Sequence, residues 1–523
     1  MIQSSSQHSW LLIALLLIPL AGSLIVALLR DQRAAKFTAF GISLVEFALA
    51  ACMWGSFHGD GARIQMAFSV PWIPDFDINI AFGIDGIAMV MVLMIAVLSP
   101  IVIGGSWTEK LAEGRSHSGF FSLLLLMEAL TIGVFATTDV FVFYVLFEIM
   151  LIPMYFLIGR FGGNNRQYAA VKFFLYSFLG GLLMLGGAIG AYVYAESATG
   201  QGTFDWMKLT SIVSHAPLHV QVWIFLGFFA AFAIKAPLVP LHTWLPDATR
   251  EAPVAAGVML VGVLDKVGVF GFLRYSIPLT PEASKTLAPL VLTLAVIGVL
   301  YGSLLAAGQS DMKRFIAYVS VAHFGFIALG VFAFTQQSGV GSVTYMVNHS
   351  ISTGMFLIVI GMLAARGKSA RIADYGGLAK VTPLLAGAFF IAGLTTLSLP
   401  GTNSFISEFL VLLGAYPSQP AFTIFAAVGM VLAALYVLWL YQRVFTGPVR
   451  GDALVGLSGG PGAAMRPDVG ARKGFGDLGV RERWVLAPLL VLVIGLGFYP
   501  QPLLDKVGPA VADTLSSVGV QGK

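Results

Sequence analysis

Residues 221–253 read QVWIFLGFFAAFAIKAPLVPLHTWLPDATREAP. The stretch begins as an apolar helix of membrane length and then sets Lys235 inside it, with Pro237 and Pro240 directly after. A lysine at that depth costs roughly 2.5–3.5 kcal/mol on insertion scales, and proline removes a backbone donor and collides with the preceding turn. Broken backbone is tolerated at membrane depth only where protein buries it or where it lines a wet cavity. The segment is therefore expected inside a helical bundle, and the function is expected beside it.

Composition agrees with a membrane setting. Of the 523 residues, 57% are hydrophobic and 11% charged, too few charges to cover a soluble globule of that size. Apolar runs of span length lie near 9–29, 36–56, 83–105, 118–136, 138–160, 169–195, 221–246, 253–276, 287–307, 312–334, 342–365, 382–413, 420–446 and 484–502. The predicted class is an all-α polytopic membrane protein with about 14 transmembrane helices.

Lys and Arg alternate between loops. Twenty-two of the 30 fall on one side and six on the other (Arg63, Lys208, Arg274, Lys285, Lys506 and Lys523), while Lys235 and Lys266 lie within spans. The positive-inside rule then puts both termini in the periplasm of a bacterial inner membrane. The N-terminus lacks the positive n-region of a signal peptide, so the first span is read as retained. Cys52 is the only cysteine, which leaves no iron–sulfur ligand set, and no His/Glu spacing marks a metal site. Nothing in the charge pattern suggests nucleic acid. Neither a cofactor nor a metal is expected in this chain.

A second interrupted helix occupies 389–413, FFIAGLTTLSLPGTNSFISEFLVLL, where Pro400 and Gly401 break the run and Glu408 lies two turns beyond. Each interrupted helix is the fourth of five spans, in 118–276 and 287–446. An odd number of spans reverses orientation, so two inverted repeats are expected, an arrangement typical of ion-translocating machines. Three helices in 1–117 precede them, and a Gly-rich cytoplasmic loop (447–483) and a last helix and tail (484–523) follow. The glycines of FLGGLLMLGGAIGA (178–191) read as helix-packing residues.

Inside the spans stand Glu148, Lys235, His242, Lys266, His323, His349 and Glu408, with Glu46, Asp85, Glu128 and Asp139 at the margins or in peripheral spans. A proton path needs groups that change protonation and bias one another. Glu148, followed by Pro153, is the expected partner of Lys235, because either charge alone is expensive in hydrocarbon. A fixed ion pair that only packs the bundle is the competing reading. Asp265 next to Lys266 offers a static pair too, although adjacent helical residues point about 100° apart. His323 and His349 suit a relay that titrates near neutral pH, or are core histidines. His242 either caps the broken helix or carries protons. Tyr345, Asn348, Ser350, Ser352 and Thr353 add groups that can hold water.

FEIMLIPMYFLIG (147–159), KAPLVPLHTWLPDATREAPVAAG (235–257), LLAAGQSDMKRFIAYVSVAHFG (304–325) and LPGTNSFISEFLVLLGA (399–415) together resemble the antiporter-like membrane subunits of respiratory complex I, NADH:quinone oxidoreductase. The resemblance implies that Glu148 is the proton-channel glutamate, Lys235 the broken-helix lysine and Lys266 the connecting lysine. It makes His323 and His349 the relay histidines and Glu408 the terminal acid. It implies sister membrane subunits and lipids as partners and protons as cargo. NADH, flavin, iron–sulfur clusters and quinone are expected elsewhere in the complex. Two other readings share most of these residues: an Mrp-type cation/proton antiporter subunit, in which lysine is expected at position 408, and a structural spacer of the membrane arm.

Overall fold

The structure is a computed structural model and describes residues 4–59, 61–109, 111, 114–455 and 475–520. Among these, twelve helices are long and apolar enough to cross a membrane. A thirteenth span results if Val480–Phe498 and Gln501–Ser516, bent by 69° at their junction, are taken together. The interrupted run at 382–413 is two shorter apolar helices, Pro383–Thr396 and Asn403–Ala415. Ser398 and Gly401 between them take left-handed backbone (φ 57° and 92°), which no continuous helix accommodates.

Asp side chains start several of the helices. Asp31, Asp85, Asp139 and Asp311 each accept from the backbone N–H groups of the first turn that follows, satisfying donors that a helix start leaves free.

Three features depart from the expectations. The all-α reading omits an antiparallel hairpin of Gln65–Ile73 and Ile78–Ile84, which pairs Phe68 with Phe82 and Val70 with Ile80. Second, Arg274 is no loop residue: it sits within the Val254–Leu279 helix, is 2% exposed, and pairs with Asp85 at 2.8 Å. A buried guanidinium needs that counter-charge. Third, the tail past the last apolar run is itself a helix, Gln501–Ser516. Of the Gly-rich loop, 456–474 lie outside the described residues. Just beyond them Arg366 donates to the carbonyls of Gly476 and Asp477 and grips Glu482 with two N–H groups, at 2.8 and 2.5 Å.

The interior of the bundle is the Val254–Leu279 helix, flanked by Met312–Phe332 and Gln336–Gly367. It carries two π-helical turns, Leu260–Leu264 and Phe272–Ser276. Such wide turns recur at functional sites because they redirect backbone groups and side chains.

Candidate functional site

The Leu218–Lys235 helix ends on its lysine, and the chain resumes helical form at Trp244. Pro237 cannot continue the helix. The indole N–H of Trp244 donates to the Ile234 carbonyl at 3.0 Å, so a carbonyl freed by the break is satisfied. Lys235 itself is fully buried. Its Nζ lies 5.2 Å from the ring centres of both Phe147 and Phe173 and has no hydrogen-bond partner among the described residues. Ring faces and a helix C-terminus both favour a cation there.

Glu148 does not close onto Lys235 as an ion pair. Its helix runs from Val140 to Ile149 and restarts at Leu151, with Pro153 in the next turn. The half-buried carboxyl lies against Gly181 of the Arg166–Thr199 helix, where a Cβ would overlap Oε1. The neighbouring Gly180 packs at close range on Ala231 and Ile234. This glycine pair thus lets the Arg166–Thr199 helix pack closely on the lysine helix, and Gly181 leaves room for the glutamate's carboxyl to lie against its backbone.

Lys266 follows the first π turn. Its Nζ donates to the Val261 carbonyl at 2.5 Å and to Nδ1 of His349 at 2.7 Å, and lies 5.1 Å from the Phe324 ring centre. The next carbonyl of that turn, Gly262, accepts from the Ser350 hydroxyl. The His349 ring lies 5.2 Å from the His323 ring, and His323 lies 5.6 Å from Tyr345. The Tyr345 hydroxyl donates to Oε2 of Glu408 at 3.0 Å, and the Ser398 hydroxyl donates to the same oxygen. Lys266, His349, Tyr345, His323 and Glu408 are each at most 3% exposed. They form one row of neighbouring exchangeable groups across four helices.

An amide lattice fixes the far end. Asn348 donates to the Asn403 carbonyl at 2.8 Å, Asn403 donates back to the Asn348 carbonyl at 3.2 Å, and Ser352 bonds Asn403 Oδ1 and Ser404. These bonds pin the half-helix that carries Glu408 to the helix that carries Tyr345 and His349.

Not every candidate joins the row. His242 packs edge-on against Tyr301 and Tyr318, at ring distances of 5.4 and 6.3 Å, away from the five groups just described. Pro237, Pro240 and Pro400 lie in the two breaks. Glu46 and Glu128 are buried in peripheral helices with no hydrogen-bond partner among the described residues. Four contributors carry no signal in the sequence. Ser398 is one hydroxyl among several near Pro400, Gly181 is one glycine in a packing stripe, and Phe147 and Phe173 read as ordinary core.

The family model for NADH:quinone oxidoreductase/Mrp antiporter membrane proteins matches residues 137–433. The chain is similar to the protein named NADH-quinone oxidoreductase subunit M of Mycobacterium tuberculosis H37Rv, 42% identical over 98% of this chain and 94% of that one. It is also similar to NADH-ubiquinone oxidoreductase chain 4 of Arabidopsis thaliana, 37% identical over 95% and 96%. Among solved structures, a chain of respiratory complex I from Thermus thermophilus with bound NADH superposes with a TM-score of 0.85 at 30% identity, over 97% of this chain and all of that one. A chain of the Mrp complex from Dietzia sp. DQ12-45-1b shares the fold, with a TM-score of 0.83 at 22% identity over 98% and 99% of the two chains.

Proposed function

This chain belongs to the NADH:quinone oxidoreductase/Mrp antiporter membrane family, and on that premise we propose that its buried row conducts protons through the membrane arm of complex I. Within the family the chain is of the subunit M kind, an antiporter-like subunit among other membrane subunits of NADH:quinone oxidoreductase. Electron transfer, with NADH, flavin, iron–sulfur clusters and quinone, belongs to other subunits.

The observation that carries the proposal is the close succession Lys266, His349, His323, Tyr345, Glu408, joined by hydrogen bonds at its two ends and by ring contacts between. Each neighbour can give or take a proton, and a row of that kind has no use as packing, because every buried polar group must be paid for by a partner. Glu148 and Lys235 form the entrance. An ammonium in hydrocarbon that loses its counter-ion gives up its proton more readily. Movement of Glu148 relative to Lys235, driven by redox events elsewhere, therefore sends a proton toward Lys266 and on to Glu408, which opens to the periplasm.

In this reading the two interrupted helices are equivalent parts of two inverted five-helix repeats, 118–276 and 287–446, within fourteen spans. Both termini are periplasmic, in a bacterial inner membrane. Protons move from cytoplasm to periplasm.

The test uses membranes that carry Glu148→Ala, with NADH-driven quinone reduction and the resulting pH gradient recorded in one preparation. Collapse of both in an assembled complex is the expected result. Persistence of both would remove Glu148 from the mechanism and sink the proton-channel reading.

A further inference from the structure

The row leaves a gap between its entrance at Lys235 and its first contact at Lys266, and one side chain stands in it. Asp265 is 0% exposed, and neither carboxyl oxygen has a hydrogen-bond partner among the described residues. Its N–H closes the first π turn on the Leu260 carbonyl, at 3.2 Å. That wide turn sets the facing of the two residues that follow it.

Where Asp265 faces is fixed by Gly268, three residues on and so within about 60° of it around the helix. A Cβ on Gly268 would press at 2.5 Å on the Phe232 carbonyl and at 2.6 Å on the Ala236 N–H. This face of the Val254–Leu279 helix therefore lies against the last turn of the Leu218–Lys235 helix. Lys266 points the other way, to His349 and Phe324. The charged neighbours of Asp265 are Lys266 and Lys235, and those of Lys235 are Glu148 and Asp265.

We propose that Asp265 is the proton-carrying station between Lys235 and Lys266, a role that rests on the proton-channel reading above. A purely structural carboxylate in this place would close onto one lysine, since a buried ion pair is tolerable only at contact with its remaining lone pairs satisfied. Asp265 closes onto neither. It stands between two cations with both oxygens available.

The transfer balances without any further reactant. An N–H bond of the Lys235 ammonium breaks, its electron pair stays on nitrogen, and the proton forms an O–H bond on the Asp265 carboxylate. That O–H bond then breaks and the proton forms an N–H bond on neutral Lys266. Each step proceeds after a side-chain rotation or through one water that gains and loses a proton. The net result is one positive charge moved from Lys235 to Lys266, with Asp265 returned to its anion.

Asp265→Asn, Asp265→Glu and Lys235→Met are compared in membranes carrying the whole complex. Assembly is counted by NADH oxidation with a soluble artificial electron acceptor, and coupled quinone reduction and the pH gradient are then measured. Asn is isosteric and uncharged, so it removes a buried charge without leaving a cavity. The expectation is a drop of about tenfold or more in coupled turnover and pH gradient for Asp265→Asn, toward the low end of what positioned proton carriers supply. Asp265→Glu is expected to restore most of both. The station is overturned if Asp265→Asn pumps normally while Lys235→Met does not, an outcome that leaves the proton-channel reading intact. It is equally overturned if Asp265→Asn and Asp265→Glu fail alike in an assembled complex, since a restored carboxyl must then restore transfer. Normal pumping by both Asp265→Asn and Lys235→Met overturns the station and the channel reading together.

Discussion

Gly181 and Glu148 share one space: the Cα of the glycine is the wall against which the glutamate's Oε1 rests, and a methyl group there would overlap that oxygen. Alanine at position 181 therefore acts on Glu148 and not on the helix that bears it. Coupled quinone reduction is expected to fall by about tenfold or more, as misplacing a reacting group by an ångström does. Gly186, on the same helix with open space around its Cα, supplies the control, and Gly186→Ala should leave turnover unchanged. Equal effects at the two positions would show that helix packing, and not the carboxyl's place, is what matters.

Ser398 holds Glu408 by its hydroxyl while its own backbone is left-handed at φ 57°. Ser398→Gly removes the hydroxyl and suits that backbone, whereas Ser398→Ala removes the hydroxyl and keeps the strain. Both are expected to slow coupled turnover by about ten- to a hundredfold, the worth of roughly 1.5–3 kcal/mol for a hydrogen bond to a charged group. Thermal denaturation in detergent should separate them, with the glycine variant the more stable.

Tyr345→Phe tests the other donor to Glu408. It removes one oxygen from a fully buried site and leaves the ring against His323. Proton translocation per NADH oxidised should fall while the complex stays assembled. If the pH gradient is untouched, the path from His323 to Glu408 does not pass through this hydroxyl.

The clamp of Arg366 on Glu482 invites a charge swap. Arg366→Glu and Glu482→Arg should each destabilise the purified complex, and the double variant should recover part of the loss. A coupling of about 0.5–3 kcal/mol is the expected scale for such neighbours. Additive losses in the double-mutant cycle would mean that the two side chains do not depend on each other.

What was legible in the sequence was whatever hydrocarbon makes expensive. Lys235, Lys266, Glu148 and Glu408 stand out because each is a charge where apolar residues cost nothing, and Pro237 and Pro400 stand out because they break what should be continuous. The relation between Glu148 and Lys235 was not legible as it stands. Cost alone predicts that opposite charges meet, whereas the glutamate's carboxyl lies against a third helix, Arg166–Thr199, which packs on both of theirs. Ser398 carries no anomaly of composition, since hydroxyls are common near helix ends, and its role follows from a backbone angle. The π turn before Lys266 has no proline or charge to announce it. The hairpin at 65–84 carries no span-length signal, because its apolar runs are shorter than a span.

The bent helix Gln501–Ser516 lies on residues from the other end of the chain. Lys506 donates to the Phe57 carbonyl across 449 positions, a Cβ on Gly86 would overlap the Lys506 carbonyl, and Gln336 donates to Gly508 at 2.8 Å. Contacts so distant in sequence form only after residues 501–516 have left the ribosome. The first helices and the helix that bears Tyr345 and His349 are thus tied together only once Gln501–Ser516 has been made, and a chain that stops before residue 501 lacks the strap that holds these segments in register.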